Sequence, residues 1–285
     1  MDAKSWTPYG LALLDFLNGK TAAQIIVHEA DGRKRKMPAS TFFRTPPEFP
    51  LLESTALSLC RGRVLDIGAG AGCHSLALQE QGFSVCAIDI SSKAVEVMRM
   101  RGVKEVYCTD IFNFKTEKPF DTILMMMNGI GVVENPDALG LFLNSAHSLL
   151  RSGGQILLDS SDMRDTARNV TPSGLLSYPD SKQQASAQQA SDRQAPAQRA
   201  SDQQASDRQA PSQQASDRQA SNQQSGRYIG EVKFQMEYKG KKGSPFWWLF
   251  VDPDMLTEKA SKAGWSCEVI YREWDGHYLS RLLSL

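Results

Sequence analysis

The sequence predicts an α/β fold built on a mostly parallel sheet, and three observations lead to this prediction. Strand-like segments alternate with helix-like segments through the middle of the chain. Each strand-like segment is apolar along nearly its whole length, which is typical of a parallel sheet covered by helices on both faces. The 285 residues, of which 41% are hydrophobic, are also enough to bury the large core that such a fold requires.

The middle of the chain supplies the alternating elements. Strands are predicted at 63–67, 83–89, 105–109, 121–127 and 155–159, and helices at 72–82, 91–101 and 136–150. Ser91 or Ser92 is expected to cap the second helix, because a short hydroxyl side chain accepts bonds from the first unpaired N–H groups of a helix. Gly102 is expected to end that helix. The crossovers between consecutive parallel strands should be right-handed.

Residues 1–54 are predicted to form a cap that packs over the carboxyl edge of the sheet. The cap comprises a short amphipathic helix at 9–17 and a hairpin at 25–40. The dipeptide Asp31-Gly32 favours a tight turn between the two hairpin strands. The basic run from Arg33 to Lys36 follows this turn, and a solvated hairpin arm is favoured over an RNA-binding patch.

Residues 226–285 are predicted to complete the same domain as residues 55–181. Strands are expected at 229–238, 245–251 and 265–271, with a helix at 254–263, and their pairing should be mostly antiparallel. The second of these strands contains four aromatic residues, namely Phe246, Trp247, Trp248 and Phe250. We interpret this cluster as core and sheet packing in preference to an aromatic cage.

Residues 182–225 differ from the rest of the chain. From Gln183 they fall into pentads such as QQASD and RQAPS, without an aromatic or branched aliphatic residue. This composition cannot bury enough apolar surface to offset the entropy of ordering, so the segment is predicted to be disordered. We interpret it as a low-complexity insert within one domain and not as a boundary between two.

Three closely spaced glycines follow the first central strand. Gly68, Gly70 and Gly72 stand at the start of a predicted helix, and Asp89 ends the second strand. Glycine tolerates positive φ and lets another group approach the backbone, so the cluster predicts a turn shaped around a ligand. The first N–H groups of the following helix would face an anionic part of that ligand.

The segment from Asp66 to Gly72 resembles the acid-x-Gly-x-Gly-x-Gly turn of class I S-adenosylmethionine-dependent methyltransferases. Asp89 matches the acid that these enzymes carry at the end of the second strand, and Thr109-Asp110-Ile111 resembles their third motif. The segment from Phe120 to Asn128 resembles their fourth motif. The resemblance covers about residues 55–160 and 229–285. It implies a Rossmann-like, seven-stranded, mostly parallel sheet with antiparallel C-terminal strands, and S-adenosylmethionine as cofactor.

The resemblance also implies a set of cofactor-binding residues. They are Asp66, Gly68, Ala69, Gly70, Gly72, Asp89, Ile90, Asp110, Ile111 and Asn128. Asp89 would accept hydrogen bonds from the ribose diol, as acids do in related nucleotide folds. Asp110 would accept a bond from the adenine amine, with Ile90 and Ile111 on either side of the ring. Asp66 would face the cofactor's ammonium, and Asn128 would line the methyl-transfer site.

Two other functions remain as alternatives. An NAD(P)-dependent oxidoreductase would require Gly-x-Gly-x-x-Gly or Ala, and the third small residue of that pattern falls on Cys73. A non-catalytic module that binds S-adenosylmethionine would share the same motifs. The expected reaction is methyl transfer, for which holding the reactants in line supplies much of the acceleration and no dedicated base is required.

Charge and composition point to a small-molecule methyl acceptor. Lys plus Arg equals Asp plus Glu at 32 each, so no overall field favours nucleic acid. No apolar run is long enough to span a membrane. The five cysteines have neither metal-site nor disulfide spacing, so the sequence predicts no metal site and a reducing compartment, namely the cytoplasm. No catalytic residue and no oligomeric state are predicted. Six substrate-side candidates are left open between a functional and a structural role: Arg44, His74, Asp159, Asp162, His277 and Tyr278.

Overall fold

The computed structural model describes residues 1–164 and 226–285. The low-complexity segment predicted at 182–225 lies outside these residues, as do residues 165–181 of the predicted domain. Within the described ranges, no helix combines the length and the apolar composition needed to cross a bilayer.

The described residues form twelve strands and six α-helices. The strands are β1 (Gln24–Glu29), β2 (Lys34–Pro38), β3 (Arg63–Ile67), β4 (Ser84–Asp89), β5 (Glu105–Cys108), β6 (Phe120–Met125), β7 (Leu150–Ser161), β8 (Glu231–Tyr238), β9 (Lys241–Lys242), β10 (Phe246–Leu249), β11 (Trp265–Arg272) and β12 (His277–Ser284). The helices are α1 (Thr7–Leu17), α2 (Leu51–Leu59), α3 (Cys73–Glu80), α4 (Ser92–Arg101), α5 (Pro136–Ala146) and α6 (Pro253–Lys262).

Seven strands form the main sheet, in the order β11-β12-β7-β6-β3-β4-β5. The pairs from β7 to β5 are parallel, whereas β12 is antiparallel to both β7 and β11. This arrangement confirms the predicted seven-stranded, mostly parallel sheet with antiparallel C-terminal strands. The strand order reverses between β3 and β6, and in open α/β sheets ligands bind outside the carboxyl ends of the strands at such a point.

Helices cover both faces of the main sheet. Successive side chains of each strand point to opposite faces, so neighbouring residues of one strand pack against different helices. Leu65 of β3 belongs to a buried cluster that includes the apolar faces of α5 and α6. Its neighbour Val64 belongs to another cluster, which includes α2 and α3. The apolar character of the central strands is therefore explained by burial on both sides.

A second sheet was not part of the sequence prediction. It has the order β10-β8-β1-β2, with β9 paired to β8, and all its pairs are antiparallel. The strands at 229–251 were expected to extend the domain's closing antiparallel strands, but they pair with the N-terminal hairpin instead. Only β11 and β12 close the main sheet. β8 has buried residues on one face and partly exposed ones on the other, which is typical of an antiparallel sheet with one solvated face.

Element boundaries agree with the prediction where local signals are strong. The Ser91 side chain accepts a hydrogen bond from the Ala94 N–H at 3.3 Å, and Gly102 ends α4 with φ 94°, as expected. The strand predicted at 121–127 stops at Met125, because the backbone turns left-handed at Met127. The helix predicted at 136–150 ends at Ala146, and β7 is longer than predicted.

Helix α2 was missed by the sequence analysis, although a signal for it exists. Pro50 immediately precedes the helix, and the buried positions Leu52, Ala56 and Leu57 follow at helical spacing. The helix has only nine residues, so its periodicity is short. It nevertheless supplies a buried carboxylate that lies close to the glycine turn.

Candidate functional site

The glycine turn joins β3 to α3 and lies against the end of β4. The N–H groups of Gly68 and Ala69 donate to the Ile88 carbonyl at 2.9 and 3.1 Å, which attaches the turn to the neighbouring strand. Gly70 has φ 60°, and a Cβ at this position would lie 2.4 Å from the Tyr9 hydroxyl oxygen. Gly70 therefore needs glycine both for its left-handed backbone and for the space that Tyr9 of α1 occupies.

Asp89 lies directly below this turn at the carboxyl end of β4. Its Oδ2 accepts the Gly70 N–H at 3.0 Å, and its Oδ1 accepts the Ser91 N–H at 2.8 Å. The residue is 7% exposed, and burial raises the pKa of its carboxyl group to about 6, against the two N–H donors that lower it. Each oxygen retains a second lone pair, so the carboxylate can still accept hydrogen bonds from a ligand.

Asp66 is the second buried acid beside the turn. Its Oδ2 accepts a hydrogen bond from the Ser75 hydroxyl of α3 at 2.6 Å. Burial raises the pKa of the Asp66 carboxyl group, although the nearby charge of His74 and the bond from Ser75 act in the opposite direction. Asp66 thus connects β3 to the start of α3 from within the site.

A buried ionic network supports the same end of the site. Glu53 of α2 accepts a hydrogen bond from Arg44 Nη2, at 2.8 Å to Oε1 and 3.1 Å to Oε2. Its Oε2 lies 2.7 Å from His74 Nε2. Although burial disfavours the imidazolium, Cys73 and Glu53 raise the pKa of His74 well above its usual value. Of the two roles that the sequence left open for Arg44, the structure shows the structural one, an ion pair with Glu53. Glu53 also orients the His74 ring.

These residues surround one cavity between the carboxyl edge of the main sheet and the second sheet. Nine of the ten predicted cofactor-binding residues line it: Asp66, Gly68, Ala69, Gly70, Asp89, Ile90, Asp110, Ile111 and Asn128. Gly72 packs elsewhere, since a Cβ on it would lie 2.8 Å from Val103 Cγ2. The opposite side of the cavity comes from α1, from the segment that follows β2, and from strands of the second sheet.

The end of β6 forms a further wall of the cavity. Met127 and Asn128 have φ 64° and 56°, a conformation that is strained for residues with side chains. Asp159 accepts the Asn128 N–H at 2.8 Å, and the Ser161 hydroxyl donates to Asn128 Oδ1 at 2.9 Å. These bonds from β7 hold the strained turn in place and keep the Asn128 amide group at the cavity wall.

His277 stands behind this turn and pairs with Asp159. The distance from His277 Nε2 to Asp159 Oδ2 is 2.7 Å, and Glu273 lies 3.8 Å from the other ring nitrogen. Although burial favours the neutral ring, these two carboxylates raise the pKa of His277 to about 10. His277 thus holds Asp159, which in turn accepts the Asn128 N–H. The remaining candidate acid, Asp162, is ion-paired with Arg164 at 2.8 Å.

Asp110 lies at the far end of the cavity, next to the end of β5. Its Oδ1 accepts the Phe112 N–H at 2.9 Å and begins a short 3-10 helix at Ile111–Asn113. Its Oδ2 lies 3.3 Å from the Met1 amino nitrogen. Each oxygen of the carboxylate thus has a donor from the chain itself, and the predicted bond from the adenine amine to Asp110 stays a prediction.

Comparisons with known proteins identify the family. A family model described as "Methyltransferase domain" matches residues 64–154. The chain is 33% identical to an S-adenosylmethionine-dependent methyltransferase from Bacteroides fragilis, solved in complex with S-adenosyl-L-homocysteine. That comparison covers 100% of this chain and 98% of the other, with a TM-score of 0.74. The chain belongs to the S-adenosylmethionine-dependent methyltransferases.

Curated relatives agree over a shorter stretch. A ubiquinone biosynthesis O-methyltransferase from Xanthomonas euvesicatoria pv. vesicatoria (strain 85-10) is 32% identical over 114 residues, which are 38% of this chain and 46% of that protein. A ribosomal RNA small subunit methyltransferase C from Escherichia coli O1:K1 / APEC is 29% identical over 140 residues, which are 46% of this chain and 36% of that protein. This methyltransferase thus spans about half the length, or less, of these curated relatives.

Family membership decides against one of the two alternatives left by the sequence. The cofactor is S-adenosylmethionine, and the nicotinamide-dependent oxidoreductase is set aside. The site of this methyltransferase fits a nucleoside with an amino-acid tail, because acids at the ends of β4 and β5 face the same cavity as the glycine turn and the start of α3. Apolar Ile111, 8% exposed, lines the same cavity and belongs to a buried cluster of the main sheet.

Several residues of the methyltransferase site were missed from the sequence. Trp6 and Tyr9 come from the cap, and Met37, Phe234 and Met236 come from the second sheet. Phe246 and Trp248 line the cavity too, whereas the sequence analysis assigned their cluster to packing alone. The alternating pattern of these strands could have shown that one face of each is buried. It could not have shown that this face lines the cavity, because the cavity forms from contacts between distant segments.

Proposed function

We propose that this methyltransferase transfers the methyl group of S-adenosylmethionine to a small molecule. The observation that supports this proposal is that the cavity is covered. Beyond the predicted cofactor residues, its wall continues through α1 and the inner face of the second sheet. An acceptor that reaches the cofactor's sulfonium must therefore enter a confined space, which suits a small molecule better than a folded macromolecule.

The nine predicted residues that line the cavity would hold the cofactor along the carboxyl edge of the sheet. Asp89 would accept bonds from the ribose diol with its remaining lone pairs, and Asp110 would accept from the adenine amine. Cys73 and His74 begin α3, where the first N–H groups of the helix have no partner within it, and these groups would face the cofactor's carboxylate. The positive charge of His74 would favour the same carboxylate.

When bound, S-adenosylmethionine supplies an electrophilic methyl group with a good leaving group. The chain's own residues then have to position the acceptor and exclude water. The turn at Met127 and Asn128, fixed from β7, gives a rigid wall for this purpose. In-line positioning of two bound reactants can supply much of the rate acceleration without a dedicated base.

A reducing compartment such as the cytoplasm is part of the same proposal. The five cysteines are all free, and three of them are buried. Free thiols persist in a reducing environment, whereas secreted proteins usually oxidise theirs to disulfides.

The experiment uses the full chain and two measurements. Isothermal titration with S-adenosylhomocysteine should give saturable binding, and methyl-labelled S-adenosylmethionine should label the small-molecule fraction of a cell extract. Label that enters only RNA or only protein would contradict a small-molecule acceptor. Cofactor binding without transfer to any fraction would support the non-catalytic module instead.

A further inference from the structure

The cavity has two chemically different ends. The main-sheet end carries the acids Asp66, Asp89 and Asp110 together with His74. The second-sheet end is apolar, and its lining consists of Val27, Met37, Phe234, Met236, Phe246 and Trp248. The proposed cofactor residues that line the cavity belong to the first end, so the apolar end is the part of the cavity left for an acceptor.

The apolar end is a built surface, because strand alternation sends one set of side chains inward. Val27 of β1 is paired with Met236 of β8, and Phe246 of β10 is paired with Phe234 of β8. Cross-strand neighbours share one face of a sheet, so these four side chains form a continuous patch. All four are at most 6% exposed.

Aromatic rings from the cap extend this patch toward the cofactor residues. The ring centroid of Trp6 lies 5.1 Å from that of Phe246, 5.6 Å from that of Trp248 and 5.6 Å from that of Tyr9. Tyr9 in turn reaches Gly70 of the glycine turn. An aromatic wall therefore connects the second sheet to the place where the cofactor is proposed to bind.

The outer face of the same strands has the opposite chemistry. Trp247 points outward and lies under the Arg227 guanidinium at 4.1 Å and near Lys233 at 5.7 Å. On the same face, His28 Nε2 is 2.8 Å from Glu237 Oε2. The second sheet thus separates a charged, solvated surface from an apolar interior.

No lysine or arginine side chain lines the cavity among the residues that the structure describes. The basic groups that do line it are His74 and the Met1 amino group, and the latter lies near Asp110 at the main-sheet end. A phosphate or carboxylate on the acceptor would lose its hydration at the apolar end without gaining a cationic partner, which is costly. Methionine and aromatic side chains instead suit flat, uncharged groups.

We propose that the inner face of the second sheet is the acceptor-binding surface and that the acceptor is an uncharged, largely apolar, ring-containing molecule. This inference rests on the proposed function, since it assigns the acceptor to the cavity that the cofactor shares. Trp248 is the residue on which it is tested. Its Nε1 is buried and has no hydrogen-bond partner among the described residues, so replacing the ring removes no hydrogen bond.

The test compares two probes on the full chain saturated with S-adenosylhomocysteine. The probes are 4-butylphenol and 4-butylphenyl phosphate, which share the apolar part and differ in charge. Calorimetry should show that the phenol binds about tenfold or more tighter than the phosphate, a difference of about 1.4 kcal/mol. Equal binding, or tighter binding of the phosphate, would overturn the inference.

Two substitutions locate the probe. Trp248→Leu should weaken binding of 4-butylphenol about fivefold or more, whereas Trp247→Leu, on the same strand but on the outer face, should leave it unchanged. Equal effects of the two substitutions would contradict the assignment of the inner face. Phe246→Leu serves as a second inner-face variant if Trp248→Leu does not fold, and it should weaken the phenol in the same way.

Binding of S-adenosylhomocysteine separates this inference from the proposed function. All three variants should retain the wild-type affinity for S-adenosylhomocysteine, because none of the replaced side chains belongs to the proposed cofactor set. If the wild-type chain binds no S-adenosylhomocysteine, the proposed function fails. If it binds S-adenosylhomocysteine but not 4-butylphenol, only the inference on the acceptor fails.

Discussion

Gly70 shows how a single residue can be required twice. Its φ of 60° lies in the left-handed region, and Tyr9 of α1 occupies the space where a Cβ would stand. The first requirement was visible in the sequence as one of three spaced glycines. The second depends on a helix that is distant in the chain, and it ties the cap to the glycine turn.

Replacement of Gly70 by alanine tests both requirements, with Gly82→Ala as the matched control. Gly82 also has positive φ, at 90°, but nothing lies within 4 Å of a Cβ placed there. Gly82→Ala should therefore lower the free energy of unfolding by roughly 1–2 kcal/mol, the cost of a left-handed residue. Gly70→Ala should cost more in denaturant titrations. In a Tyr9→Phe background the excess should shrink, and an undiminished excess would argue against the contact with Tyr9.

Asp89 gives a pH-dependent prediction at the same scale. Its pKa is raised to about 6 by burial, and hydroxyl donors of a ribose would favour the ionised form. Affinity for S-adenosylhomocysteine should therefore be full above pH of about 6 and should fall as the pH drops through that value. Calorimetry across this range measures the effect.

Asp89→Asn should weaken binding of S-adenosylhomocysteine by roughly 1–3 kcal/mol and should remove this pH dependence. Asp137→Asn, which changes an acid at the exposed start of α5, serves as the control and should change neither. Unaltered affinity in a folded Asp89→Asn protein would refute the ribose role.

The turn that follows β6 illustrates the scale of single elements. β6 ends at Met125, and the next turn is held in a strained conformation by bonds from Asp159 and Ser161 of β7. His277 of β12 pairs with Asp159 from the other side. Three neighbouring strands thus cooperate to hold one turn at the cavity, which explains why buried polar groups occur in this part of an apolar sheet.

His277→Ala tests this support. The pKa of His277 in the folded protein is about 10, above the ordinary value near 6.5, so its ion pair stabilises the fold fully below pH 6.5 and is lost as the pH rises through 10. The substitution should lower the free energy of unfolding by about 3 kcal/mol at neutral pH. Denaturant titrations should show the difference from wild type shrinking at strongly alkaline pH, where the ring is neutral; a pH-independent difference would contradict the role of the charge.

At the scale of the whole molecule, the site lies between two sheets that the chain builds from non-contiguous segments. The main sheet contributes the turn and the acids at its carboxyl edge, whereas the second sheet joins the N-terminal hairpin to strands beyond residue 226. Each sheet takes strands from before and from after the low-complexity segment at 182–225. The composition of that segment predicts no contribution to either.

Deletion of residues 183–224 tests that interpretation. Because the entropic cost of a loop varies slowly with its length, the deletion should leave the melting temperature and the affinity for S-adenosylhomocysteine nearly unchanged. Thermal unfolding and calorimetry of the shortened chain check both quantities. A large loss of either would mean that the repeats take part in the structure.

The elements of the central βα units could be predicted because their signals are local. A glycine cluster after an apolar strand, an acid at the end of the next strand, and a serine cap before a helix are each written within a few residues. Parallel strands place their carboxyl ends along one edge of the sheet, so the local order also brought Asp66, Asp89 and Asp110 to one cavity.

What only the tertiary structure decided is which distant segments meet. The pairing of Val27 with Met236, the ion pair between Arg44 and Glu53, and the position of Tyr9 over Gly70 all join separate parts of the chain. Alternation in a strand indicates that one face is buried, but it does not say against which partner, because backbone hydrogen bonding is the same for every sequence. The sequence by itself therefore determined which acids lie along the carboxyl edge of the main sheet, and the packing of the two sheets determined the apolar side of the cavity.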